Sequence, residues 1–262
     1  MTVPSGEMVP RADCIADAAG GVTFDIAGTG APGALLVLRR RGAAGDTVRL
    51  PLTPAGGNHS RAVLPSTVEL AEGHWDAYTD DGAAVEPGIR DLRALVGRVP
   101  EAGRIAVRVP YPTADGRLAV RCWVREPHAE AGDIAVSQGS CTVEGVLYGA
   151  ALGAGAVAEA RLGRTVHRVP LTAGPAGPAG ERFALTLDYA TLAGPAADGE
   201  RLWTLWLRPS ADAEPVRISR ILDDVWNRRN VFVYPAHEGE GYRAAPCYTG
   251  DNDLCVRLSP VS

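Results

Sequence analysis

Val48-Arg49-Leu50-Pro51-Leu52-Thr53 is answered, further along the same chain, by His167-Arg168-Val169-Pro170-Leu171-Thr172. Each run alternates apolar and polar side chains, the period of a half-buried strand, and then meets a proline. Proline cannot donate to a ladder, so each of these strands ends there or lies at a sheet edge. Outward from the two runs the landmarks recur in one order. Arg61-Ala62-Val63-Leu64 is matched by Arg182-Phe183-Ala184-Leu185, Val68-Glu69-Leu70 by Tyr189-Ala190-Thr191-Leu192, and Trp75-Asp76-Ala77-Tyr78 by Trp203-Thr204-Leu205-Trp206. Gly88-Ile89-Arg90-Asp91-Leu92 is then matched by Ile218-Ser219-Arg220-Ile221-Leu222. Self-similarity of this kind reads as an internal duplication.

The rest of the chain has the same grammar. Val22–Ile26, Ala34–Leu38, His74–Tyr78, Arg104–Val109, Arg117–Val124, Thr142–Tyr148, Val157–Arg161, Val231–Tyr234 and Leu254–Leu258 are short alternating runs, and turn residues such as Gly28–Gly33 and Gly174–Gly180 separate them. No segment sustains the 3.6-residue period of a long helix. The expected fold is therefore all-β: two tandem, internally duplicated immunoglobulin-like β-sandwich units over residues 1–98 and 99–262, joined at Val96–Gly103. Trp75 and Trp203 are expected between the sheets, because a tryptophan is too large an apolar body to leave outside a small core.

Composition narrows the partners. The 262 residues carry a net charge of −5, scattered rather than blocked, which is the wrong electrostatic footprint for nucleic acid. All the basic residues are arginine, and with abundant Ala, Gly, Pro and Val this points to a GC-rich, actinobacterial genome before it points to anion clamps. No apolar run is long enough to span a bilayer, and Met1–Arg11 lacks the order of a secretory signal, so a cytoplasmic location is expected. The cysteines, Cys14, Cys122, Cys141, Cys247 and Cys255, are odd in number and contain no CxxC pair. Reduced thiols fit that setting, while Cys247 and Cys255 could face each other across a hairpin.

Chemistry concentrates beyond residue 99, in stretches with no obvious match in the first unit. Tyr111 lies in a Pro-flanked turn. Arg121, Trp123 and Arg125 fall on one face of a strand, giving either an exposed stack or a surface on which Trp123 meets a sugar and the arginines hold an anion. Asp223 and Asp224, near Arg228 and Arg229, read either as a salt-bridged connector or as an acid pair. Asp251 and Asp253 sit in an Asx-rich turn whose oxygens also suit a hard cation. His128, in a loop before Glu130, is the candidate acid–base group, whereas His74 and His167 read as hydrogen-bonded residues within strands. No catalytic motif, metal-ligand spacing or cofactor fingerprint occurs, so no metal and no cofactor is expected. The catalytic candidates are thus His128, Asp223 and Asp224. The ligand-binding candidates are Tyr111, Arg121, Trp123, Arg125, Asp251 and Asp253.

The order Pro-Leu-Thr, Arg-led strand and Trp75-Asp76-Ala77-Tyr78, with Arg220-Ile221-Leu222-Asp223-Asp224 and Asp251-Asn252-Asp253-Leu254, resembles the β-sandwich modules of actinomycete cell-wall-type glycosyltransferases and glycerophosphotransferases. The resemblance implies an accessory or carbohydrate-recognition role, since the Asp-x-Asp context and βα alternation of a transferase domain are absent. Two functions follow. One is a binding or accessory protein for a glycan or other small-molecule ligand, working beside a biosynthetic enzyme of the same pathway. The other is a cofactor-independent enzyme of the cyclase or isomerase type, with acid–base groups in a cleft between the units.

Overall fold

Alternation in sequence becomes alternation of burial. In Arg11–Ala16 (β1), Ala12, Cys14 and Ala16 are buried while Arg11, Asp13 and Ile15 face out, and His59–Leu64 (β6) repeats the pattern. The structure is a computed structural model that describes residues 9–27, 33–100, 104–175, 177, 180–194 and 199–261. The chain start and parts of the Gly28–Gly33 turn, the Val96–Gly103 join and the Gly174–Gly180 loop lie outside the described residues. Within them the chain is nearly all β, with one short helix, Tyr189–Ala193 (α1). They divide into two compact units, one of Met1–Arg98, Ala106–Val124 and Leu222–Trp226, the other of Val99–Ile105, Arg125–Ile221 and Asn227–Ser262.

The first unit has two five-stranded sheets. Its remaining strands are Val22–Ala27 (β2), Leu35–Arg40 (β3), Thr47–Pro51 (β4), Thr53–Pro54 (β5), Gly73–Thr79 (β7), Glu86–Asp91 (β8), Ile105–Pro112 (β9) and Leu118–Arg125 (β10). The sheet orders are β5-β6-β2-β1-β8 and β4-β3-β7-β10-β9. Phe24, Ile26 and Leu64 from one sheet meet Leu36, Leu38, Trp75 and Val120 from the other in one core. The β9–β10 hairpin corrects the expected boundary at residue 98. Leu118, Val120 and Cys122 complete the first core, because β10 pairs with β7 rather than with any strand of the second unit.

The second unit is built from His128–Ser137 (β11), Ser140–Tyr148 (β12), Val157–Leu162 (β13), Thr165–Ala173 (β14), Glu181–Asp188 (β15), Arg201–Arg208 (β16), Val216–Ser219 (β17), His237–Gly239 (β18), Tyr242–Tyr248 (β19) and Leu254–Pro260 (β20). They form a ten-stranded sheet, β13-β14-β15-β12-β11-β17-β16-β20-β19-β18, in which the β13–β16 pairing closes seven strands into a barrel. This departs from a pair of separate sheets. The reason lies in β14, which pairs with β13 over Thr165–Pro170 and passes to β15 from Leu171 onward. In the first unit the same crossing is broken at Leu52 into β4, beside β3, and β5, beside β6.

Several strand pairings of one unit have counterparts in the other. The antiparallel run β1–β2–β6 has its counterpart in β11–β12–β15, and the parallel pair β1–β8 in β11–β17. Leu35 faces Pro51 as Val157 faces Pro170, and Trp75 faces Val120 as Trp203 faces Val256. The Arg-led landmark needs correction. Thr53 faces Arg61 whereas Thr172 faces Ala184, so Arg61 occupies the place of Ala184 and not of Arg182. Volume is exchanged across strands: Ile26 opposite Ser60 in the first unit becomes Gly145 opposite Phe183 in the second. A Cβ on Gly145 would fall 2.4 Å from the Phe183 ring and 2.6 Å from the Glu130 carbonyl oxygen. Close packing leaves no room for it.

Candidate functional site

One constellation of polar and aromatic groups lies in the first unit, on the side of β7 away from the core. His74 and Asp76 alternate with the buried Trp75 and Ala77, so both point off the outer face. Tyr111, buried on β9, places its hydroxyl 2.6 Å from His74 Nδ1. Its ring stacks on the partly exposed Trp226, with centroids 4.3 Å apart and planes 22° from parallel. Arg41 grips the Asp76 carboxylate with Nε at 3.2 Å and Nη2 at 2.5 Å, while its backbone N–H donates to the His74 carbonyl at 2.8 Å. Burial raises the Tyr111 pKa above its ordinary value against the opposing pull of Arg41 and Arg121. The raised pKa keeps the phenol protonated, and the His74 tautomer decides which of the two groups donates across this contact. The site therefore offers an aromatic pair, a carboxylate, a guanidinium and an imidazole within one unit. Of its members, sequence reasoning singled out only Tyr111. His74, Asp76 and Arg41 read as ordinary strand and loop residues because only the β3–β7–β10 pairing aligns them.

The Arg121-Trp123-Arg125 stripe is not a surface. Trp123 has no exposed area and Arg121 is 4% exposed, with its guanidinium 4.8 Å over the Trp123 ring; Arg125 is partly exposed. Period-2 alternation tells the two faces of β10 apart, but here both faces are buried, so Trp123 cannot stack on a ligand. An arginine–tryptophan grouping does reach solvent elsewhere. The guanidinium carbons of Arg161 and Arg217 lie 4.8 and 5.0 Å from the ring of partly exposed Trp206. Arg161 and Arg208 both bind the buried Glu159, and Arg217 binds Asp253 at 2.6 Å. The first unit has the same contact in smaller form, Arg39 at 4.8 Å over Tyr78. Three strands assemble this cluster, so no local run of sequence announces it.

His128 is wholly buried on β11, not in a loop. Its Nε2 lies 2.7 Å from Glu130 Oε2, and that carboxylate also accepts the Ile221 N–H at 2.9 Å. With no exposed area it is a positioning contact rather than a group a substrate can reach. Asp223 accepts the Val225 N–H at 2.9 Å in an Asx-type turn, and Asp224 is exposed. Arg228, expected as a salt-bridge partner for this pair, is 1% exposed. Its Nε donates to the Arg220 carbonyl at 3.1 Å and its guanidinium lies 4.5 Å from the Phe232 ring. Burial, aided by Arg220, lowers its pKa.

The Asp251–Asp253 turn is not an addition to the second unit. Thr249 N–H donates to the Asp253 carbonyl at 2.9 Å as Thr113 does to Arg117 at 2.8 Å, and Asn252 takes φ 62° where Gly116 takes 78°. Asn and Gly are the residues that tolerate this left-handed backbone. Asp253 spends one oxygen on Arg217 and the other on Ser219 Oγ at 2.7 Å, while Asp251 is exposed. Cys247 and Cys255 do face each other across β19–β20, as free thiols. Among the described residues no group of three or more His, Cys, Asp or Glu could hold a metal ion. No helix among them is long and apolar enough to cross a membrane.

No known family matches the chain, and no curated protein matches it. Among solved structures it is similar to TarS of S. aureus, at TM-score 0.29 and 12% identity over 78% of this chain and 38% of that one. Residues 217–571 of the same protein give TM-score 0.30 and 14% identity over 79% and 61%. A pullulanase from Anoxybacillus sp. LM18-11, solved with maltotriose, gives 0.28 and 9% over 78% and 25%. The chain spans less than two thirds of each of these structures. Overlap this slight carries no argument, and the function has to be read from the chain's own residues.

Proposed function

We propose that this chain is a carbohydrate-binding accessory protein, its two units copies of one immunoglobulin-like β-sandwich plan, with a sugar-binding face in the first unit. The observation that carries this reading is the Tyr111–Trp226 stack, bordered by His74, Asp76 and Arg41. The C–H face of a pyranose packs on an indole, and its hydroxyls need both acceptors and donors at the rim. Asp76 supplies the first and Arg41 the second, with the His74 ring beside them. Glycopolymer chains and a partner enzyme of the same pathway fit an accessory role of this kind. The enzymatic reading has less support, because His128 has no path to a substrate and Asp223 is engaged in its own turn.

An aromatic anchor of this sort carries on the order of 1–2 kcal/mol or more of binding, about tenfold or more in affinity. On a glycan array the native chain should retain at least one oligosaccharide, and Trp226→Ala should weaken that binding at least about tenfold by this arithmetic. Because Trp226 is partly exposed, the melting temperature should barely move. Retention of no glycan, or unchanged binding by Trp226→Ala, overturns the reading.

A further inference from the structure

The second unit carries a groove where the corresponding strand pair of the first unit carries a salt bridge. In the first unit Asp25 faces Arg61 across β2–β6, and the arginine forks onto the carboxylate at 2.6 and 2.9 Å. At the corresponding point across β12–β15, Glu144 faces Ala184. The alanine ends at Cβ, so nothing crosses the strand to cover the Glu144 carboxylate. The neighbouring strand differs too. Asp13 alone stands opposite Asp25 in β1, but β11 fits both Gly132 and Asp133 between its pairings at Ala131 and Ile134. Such a bulge bends a strand and re-aims its side chains, and bulges are over-represented beside active sites.

Together the missing arginine and the inserted residue open a cavity of about 370 Å³, lined by Asp133, Glu144, Val146, Thr172, Arg182 and Phe183 among others. Among the described residues the side chains of Asp133, Glu144 and Arg182 have no ion pair or hydrogen bond. Exposed charges need no partner in water, and by themselves they would mean nothing. Here two departures from the first unit's corresponding strands both act to make room, and the charges converge on the room made. The volume lies at the small end of the ~300–1,000 Å³ typical of small-molecule sites.

We propose that this groove is a second saccharide site, independent of the Tyr111–Trp226 face, that takes a small uncharged sugar or amino sugar. Two carboxylates accept from neighbouring hydroxyls or an ammonium, Arg182 donates to a ring or exocyclic oxygen, and Val146 with the Ala184 methyl receives C–H groups. Two carboxylates against one guanidinium disfavour a sugar acid.

Ligand-observed NMR on the full chain, with glucose, glucosamine and glucuronate as separate probes, tests it. Glucose or glucosamine should bind in the millimolar range, and glucuronate at least several-fold more weakly. Ala184→Arg, which copies the Arg61–Asp25 fork, should abolish the signal without lowering the melting temperature. Glu144→Gln, an exposed change that spares the fold, should weaken glucosamine several-fold. Trp226→Ala should leave binding intact. No saturable binding of glucose or glucosamine by the native chain overturns the proposal, as does binding that survives Ala184→Arg. Loss of the signal in Trp226→Ala assigns it to the first unit instead, which overturns this site while leaving the proposed function standing.

Discussion

Raising the pH from 8 to about 11 is expected to destabilise both units strongly, because four buried thiols are held far above their ordinary value. Burial pushes Cys14 up to about 12, against a smaller opposing pull from Arg90. It pushes Cys122 and Cys141 each to about 11, and moves Cys255 upward as well. All four are at most 1% exposed. Thiols raised on folding contribute stability that is fully present below the unfolded value near 9 and is lost as pH climbs toward the folded values. A pKa raised by one corresponds to about 1.4 kcal/mol; Cys14 and Cys122 lie in the first unit and Cys141 and Cys255 in the second, so by pH 11 each unit loses on the order of 5 kcal/mol from its two thiols. The whole stability of a domain is about 5–15 kcal/mol. Tyr111, Tyr148, Tyr189 and Tyr248, also raised by burial, add to the loss above their own ordinary value. Urea midpoints measured at pH 8, 9.5 and 11 should fall steeply, and Cys14→Ala with Cys141→Ala should flatten the fall. A midpoint that stays level across that range refutes the argument.

Residue patterns in sequence predicted what is local and missed what is not. The prolines at 51 and 170 and the tryptophans at 75 and 203 hold matching pairings because each landmark sits within one strand, where period 2 and chain order suffice. The Arg61–Arg182 match slipped by two residues. A two-residue shift keeps every side chain on the same face, so burial parity gives no warning. The boundary at residue 98 failed for another reason. Val96–Gly103 has linker composition, but the hairpin that follows it belongs to the first unit, and only pairing between β7 and β10 reveals that. The same blindness hid the candidate site. His74 and Tyr111 are 37 residues apart, and Trp226 comes from a segment that returns to the first unit late in the chain. Once register is known, absences become legible as well. Glu144 is unremarkable until it is set beside Asp25, whose arginine partner it lacks.

Replacing Trp203 by alanine should cost about 3–5 kcal/mol, the range for emptying a buried tryptophan site, and Trp75→Ala should cost about the same. Trp203 is 2% exposed and Trp75 3%, and each belongs to the core of its own unit. Phenylalanine separates the two positions. Trp75 Nε1 donates to the Ala71 carbonyl at 3.0 Å, so Trp75→Phe loses both ring volume and a hydrogen bond. Trp203 Nε1 is buried with no partner among the described residues. An unsatisfied buried donor costs about 1–3 kcal/mol, so Trp203→Phe removes a penalty along with the volume. The expected order in urea unfolding is therefore Trp203→Phe milder than Trp75→Phe by about 1 kcal/mol or more, with both alanine variants well below either. Equal costs for the two phenylalanine variants would mean that Trp203 Nε1 does have a partner in solution. A Trp203→Ala variant within about 1 kcal/mol of the native chain would remove this residue from the core altogether.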